Sequence, residues 1–198
     1  MKNRLFLGFA VVMMIVATSC GKMPQEKMDA TKVAVESAQA AQADIYMAPE
    51  FKALQDSLAS VMQSIEAENS NFFKNFDAQS AQLDALKAQA ESVAAAVPAK
   101  KEAVKQEAET VMASVKTAID ETKALLAKAP KGKEGKAALE QIGNELNVVT
   151  TTVGEVEASM AGDVNFVQVL DRLNAAQKSV SDLNAELTEA IAKKAGKK

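Results

Sequence analysis

Cys20 is the one thiol in a 198-residue chain that has no histidine at all. A thiol is a good acceptor of an acyl or alkyl group. Catalysis by a thiol or hydroxyl, however, needs a neighbouring base to activate it, and the usual base is missing. The common zinc donors are missing with it. Paired carboxylates could in principle protonate and attack a glycoside. Here Glu102, Glu107, Glu109, Asp120 and Glu121 alternate with Lys100, Lys101, Lys105, Lys116 and Lys123, the pattern of a solvated helix face carrying weak i, i+4 pairs. Residues 131–136 hold two glycines and three lysines but neither the spacing of a phosphate loop nor a strand before it. Met47, Met62, Met112 and Met160 lie among apolar neighbours, which suits core filling better than a soft metal site. The expectation is a protein that is not an enzyme, with no catalytic residue, cofactor or metal, and with Cys20 as its single site of chemistry.

What surrounds Cys20 says how that chemistry would be delivered. Lys2 and Arg4 form a basic start, residues 5–16 an unbroken apolar run, and Ala17-Thr18-Ser19 a small-residue stretch that ends at the cysteine. These are the three regions of a secretory signal, expected to be removed as residues 1–19. The apolar run is shorter than the ~20 residues a spanning helix needs, and Gly21-Lys22-Met23-Pro24 ends it abruptly.

Ala17-Thr18-Ser19-Cys20 resembles the lipobox of bacterial lipoproteins, with Ala17 where leucine is favoured and the branched Val16 one place further out. The resemblance implies that Cys20 is diacylated on sulfur, becomes the new amino terminus and accepts a further acyl chain such as palmitate. Each buried methylene contributes about 0.8 kcal/mol, so one chain binds a bilayer reversibly and several hold it durably. Without Lys2 and Arg4 the mature chain has 21 basic and 26 acidic residues. Such a balance argues against nucleic acid as a partner and leaves membrane attachment to the lipid.

The rest of the chain reads as helix. Alanine makes up about one residue in five, and alanine costs no side-chain entropy in a helix while burying little area. After a linker over residues 20–27, a helical domain is expected over 28–195. A first helix is predicted over residues 25–46, with Val33, Val35, Ala38, Ala41 and Ile45 on one side. Ala48-Pro49 would start a second, whose seam runs Phe51, Leu54, Leu58, Val61 and Ile65. Phe72, Phe73 and Phe76, three phenylalanines in five positions, are predicted to reopen the apolar face as a packing centre continuing through Leu83, Leu86, Ala90, Val93 and Val97. Pro98 either kinks this long segment or splits it; unbroken, residues 72–128 would reach about 85 Å at 1.5 Å per residue.

A basic turn over residues 131–136 follows. Leu139, Ile142, Leu146, Val149, Val153, Val156 and Met160 then mark another seam, weakened at Gly143 and Gly154. Gly162 is read as its stop and Asp163 as the next N-cap. The last helix carries Phe166, Val169, Leu173, Ala176, Val180, Leu183, Leu187 and Ala190, and its lysine-rich end suits the negative end of a helix dipole. Asn71-Phe72 and Asn165-Phe166 hint at two helical hairpins joined by the long middle segment, in the manner of tetratricopeptide arrays though without their signature residues. The expected fold is all-α: an elongated antiparallel bundle of four to six helices with coiled-coil-like seams.

With its lipobox, Ala-rich first helix, Ala48-Pro49 hinge and Gly162-Asp163 turn, the chain resembles a group of bacterial lipoproteins built from long helices. That resemblance implies location and fold and carries no activity. The expected role is a membrane-tethered structural or interaction protein of the cell envelope, on the periplasmic face of the outer membrane. Its expected partners are the membrane, through lipid on Cys20, and a protein or a second copy, through helix faces. The alternative is an envelope carrier of lipid or another apolar ligand.

Overall fold

The structure, a computed structural model, describes residues 21–129, 136–162 and 164–195. The signal over 1–19, Cys20, most of the basic turn at 131–136, Asp163 and the last three residues lie outside them. The described residues form six helices and are all-α: α1 (Gln25–Ala40), α2 (Ala43–Tyr46), α3 (Ala48–Asn69), α4 (Asp77–Lys128), α5 (Lys136–Ser159) and α6 (Phe166–Ala195). They divide after Pro98 into two compact units, to both of which α4 contributes.

In the first unit α1, α3 and the first part of α4 pack as a three-helix bundle. Its buried residues include Ala34, Val35 and Ala38 of α1, Phe51, Leu54, Val61 and Ile65 of α3, and Leu83, Leu86, Ala90, Val93 and Val97 of α4. Gln79 Nε2 donates to Ser64 Oγ at 3.1 Å, and Lys27 Nζ to Asp84 Oδ2 at 2.6 Å. With short connections on either side of α3, these pairs make α3 antiparallel to α1 and α4, and the starts of α1 and α4 therefore share one end with the close of α3.

The first helix departs from expectation. It stops at Ala40, and Gln42 takes a left-handed conformation (φ 72°) before the single turn of α2. The buried face is Thr31, Ala34, Val35 and Ala38, while Val33 is 59 % exposed. Alanine and threonine fit either side of a helix, so the expected stripe is right at Val35 and Ala38 and wrong at Val33. Thr31 is buried where α1 meets α4, its hydroxyl 2.7 Å from Lys27 O and 3.1 Å from Leu83 O. One hydroxyl satisfied by backbone carbonyls lets two helices approach without stranding a polar group.

In the second unit α5 and α6 form an antiparallel hairpin, with Arg172 reaching Glu155 at 3.4 Å, and the end of α4 lies alongside it. Lys116 pairs with Glu157, and Asn184 Nδ2 donates to Thr122 Oγ1 at 3.2 Å. The core joins Ala108, Met112, Val115 and Ile119 of α4 to Ile142, Leu146, Val149, Val153 and Val156 of α5 and Val169, Leu173, Ala176, Val180, Leu183 and Leu187 of α6. The α5 and α6 seams follow the predicted 3- and 4-residue spacing, except that Ala190, the last expected member in α6, is exposed. The N-cap of α6 is not Asp163 but Asn165, whose Oδ1 accepts from the N–H groups of Val167 (3.0 Å) and Gln168 (3.2 Å).

Pro98 neither splits nor ends α4; it is exposed within one 52-residue helix. A proline there removes the hydrogen bond to Ala94 O and crowds that carbonyl. Pro98→Ala should therefore raise the unfolding free energy by about 1–3 kcal/mol. Gly154→Ala, at a helical position where a methyl group meets nothing within 4 Å, should add about 0.5–1 kcal/mol. Urea denaturation followed by circular dichroism checks both, and no gain at position 98 would mean that the backbone already relieves the proline.

Candidate functional site

Cys20, the residue to which the sequence assigns chemistry, precedes the first described residue. Gly21 is exposed and has φ 103°, a conformation that favours glycine. A β-carbon built on it would stand 4.0 Å from the backbone oxygen of Lys74, so the chain enters the first unit against the turn between α3 and α4. Pro24, buried, precedes α1 and accepts the Met28 N–H through its carbonyl at 3.0 Å, and Met28 packs on the core cluster of Val61, Ile65, Phe76 and Leu83.

That turn is held by its own polar groups. The Glu68 carboxylate accepts from Asn71 Nδ2 at 2.8 Å and from the Asn75 backbone N–H at 2.7 Å. Lys74 Nζ donates to Asn69 Oδ1 at 2.8 Å, and the Asp77 N–H donates to Asn75 Oδ1 at 2.9 Å. Phe76 plugs the turn into the core at 2 % exposure, whereas Phe72 and Phe73 are 92 % and 86 % exposed. Their rings meet edge to face, with centroids 5.0 Å apart and planes at 85°, a favoured arrangement of aromatic quadrupoles. The predicted packing centre of three phenylalanines is therefore one buried residue and one exposed pair. Spacings of three and four make all three look like a seam, but α4 starts only at Asp77, so the first two lie outside any helix. The turn-forming Asn71 and Asn75 on either side were the signal to the contrary.

Elsewhere the described surface offers shallower features. A groove of about 1060 Å³ in the second unit, open to solvent, is lined by Ala118, Val180 and Ala185 and rimmed by Glu121, Lys178 and Asp182. Among the described residues no cluster of three or more His, Cys, Asp or Glu is placed to hold a metal ion, and no helix is long and apolar enough to cross a membrane. The ion pairs lie at the surface and several are i, i+4 pairs within one helix, where each is worth little. Comparison with protein-family models, with curated proteins and with solved structures gave no match.

The different burial of the three phenylalanines gives a direct test of the turn. Phe76→Ala should cost about 3–5 kcal/mol, while the double change of Phe72 and Phe73 to serine should stay within about 0.5 kcal/mol. Equilibrium urea unfolding measures both, and a large cost for the serine pair would mean that those rings are packed.

At the far end of α6, the hydrogen bond from Lys193 and then its positive charge hold the Glu189 carboxyl below its ordinary value. A depressed folded value contributes stability above the unfolded one and loses it as pH falls through the folded one, but full solvation keeps that contribution small. Lys193→Ala should raise the Glu189 titration midpoint, read by carboxyl NMR, and leave acid unfolding where it was.

Proposed function

We propose that the chain is a lipid-anchored structural or interaction protein of the bacterial cell envelope, tethered through acyl chains on Cys20 at the periplasmic face of the outer membrane. The observation that carries this reading is the placement of the chain's one cysteine directly after a basic, apolar and small-residue leader. The exposure of Gly21 supports it, since an amino terminus that must reach a bilayer cannot be packed into the core it precedes.

The helices act as a scaffold, presenting their faces to a protein partner or a second copy. Exposed aliphatic positions such as Val33 on α1 and Val148 on α5 are available for this. Scaffolding is favoured over carriage of an apolar ligand because the seams are filled by side chains, and the 1060 Å³ groove is open and has a charged rim; a carrier needs a more enclosed apolar chamber.

Mass spectrometry of protein taken from the envelope should find a chain that begins at Cys20 with acyl groups attached and stays with membranes in high salt. Cys20→Ala should leave an unprocessed precursor. Mild crosslinking in the envelope should capture a partner or a second copy. An unmodified mature chain washed off by salt removes the tether, and an acylated monomer that crosslinks to nothing removes the scaffold.

A further inference from the structure

We infer that the turn between α3 and α4 is a second membrane contact, in which Phe72 and Phe73 enter the acyl region of the bilayer beside the lipid on Cys20. The inference rests on the acylation of Cys20 proposed above.

Three observations carry it. First, the large apolar side chains left exposed among the described residues are Met23, Val33, Phe72, Phe73 and Val148, and three of these five belong to the entering chain or the turn it touches. The two rings of the turn stand together, and an exposed apolar pair at one place calls for a cover in a way that scattered residues do not. Second, the turn is ordered. The Glu68 carboxylate braces it from two donors, Lys74 reaches back to Asn69, and Phe76 is sunk in the core. The two rings are thus held outward by a fixed backbone and do not reach solvent merely because the loop is loose. Third, Gly21 lies against Lys74, and the residue that would carry the acyl chains is its immediate neighbour, one peptide unit or about 3.8 Å away. Chains entering the bilayer there bring the turn to its surface.

The occupant follows from the same placement. A protein partner could cover two phenylalanines anywhere on the molecule, but at this end a bilayer is already within reach. The side chains suit it: Phe72, Phe73 and Met23 are wholly apolar at their tips, and the exposed Lys22 can keep its ammonium group at headgroup level while its stem lies lower. The Glu68 carboxylate, a charge unwelcome near lipid, is engaged by the turn's own donors. With the turn inserted, α1 and α4 rise from the membrane and α3 returns to it, so the first unit is held upright on two attachments.

The chain has no tryptophan, so a single Phe73→Trp change gives an unambiguous probe at an exposed position. The acylated mature protein would be placed in vesicles of phosphatidylethanolamine and phosphatidylglycerol that contain a phosphatidylcholine brominated on its acyl chains, with Val148→Trp as the comparison. An insertion depth of about 5–10 Å should bring the ring near the bromines and lower its emission by roughly half, with protection from aqueous iodide. The tryptophan at 148 should show neither effect. Acylated, vesicle-bound protein whose residue 73 is quenched by iodide and not by bromine overturns the inference and leaves the tether standing. Protection that depends on protein density and not on bromination assigns the pair to a second copy and also overturns it. Absence of acyl chains on Cys20 removes the tether and the inference together.

Discussion

Everything in this fold hangs on the burial of one apolar stripe along α4. An alanine-rich helix is stable in its own backbone but weakly adhesive, because it has little area to hide. Its partners must be placed where the larger side chains are, and α4 carries these as Leu83, Leu86, Ala90, Val93 and Val97 in one unit and Val104, Ala108, Met112, Val115 and Ile119 in the other. Between Val97 and Val104 the same register brings Lys101, only half-buried, to the seam. The stripe is interrupted at that turn, next to Pro98, and the chain divides into its two units there. Each unit packs a hairpin of its own against the part of α4 that belongs to it.

The two units share some local contacts near their helix starts. Asn75 and Asn165 each accept a backbone N–H two residues on, at 2.9 and 3.0 Å, and each is followed by a buried phenylalanine, Phe76 or Phe166. Asn165 caps α6 directly, whereas Asn75 stands one residue further out and closes the turn that leads into α4. Each unit also buries one threonine, Thr31 or Thr122, at a contact between α4 and another helix. In both, the hydroxyl bonds a carbonyl four residues back at 2.7 Å, so its polar group is satisfied at close range. The Asn71-Phe72 step that the sequence sets beside Asn165-Phe166 does not match it, because Phe72 is exposed and outside any helix while Phe166 is buried at the start of α6.

The helices were legible because leucine, isoleucine and valine at steps of three and four leave little choice of face, as in α5 and α6. The same rule failed where the residues were small or the backbone left the helix. In α1, Thr31 and Ala34 took buried positions beside the expected Val35 and Ala38, and Val33 went to solvent. At Phe72 and Phe73 the helical spacing was present but the helix was not, because Glu68 and Asn75 had closed a turn around them. The proline in α4 could not be decided from sequence, since local cost favours a break and the packing on both sides favours continuity. Of the candidate site, the sequence marked Cys20 but could not show that the turn at 70–76 stands beside the entering chain. That proximity is a tertiary fact, set by α3 running back to the end from which α1 starts.

This proximity bears on what a tether can do. Acyl chains attached through one residue fix how far a protein can stray from a bilayer but not how it stands, because the bonds next to the anchor rotate freely. A scaffold whose faces must meet a partner gains from a fixed stance, since orientation lost in the free state need not be lost again on binding. In the arrangement proposed above, a braced apolar turn next to the anchor would supply the second point of contact that such a stance requires. It would do so with few residues, because the entropy of ordering the turn has already been met by the Glu68, Asn75 and Phe76 interactions within the folded unit. Were the same two rings carried on a loose loop, much of the gain from burying them in lipid would be spent on ordering the loop. The bracing of the turn and the exposure of its rings are therefore two parts of one arrangement.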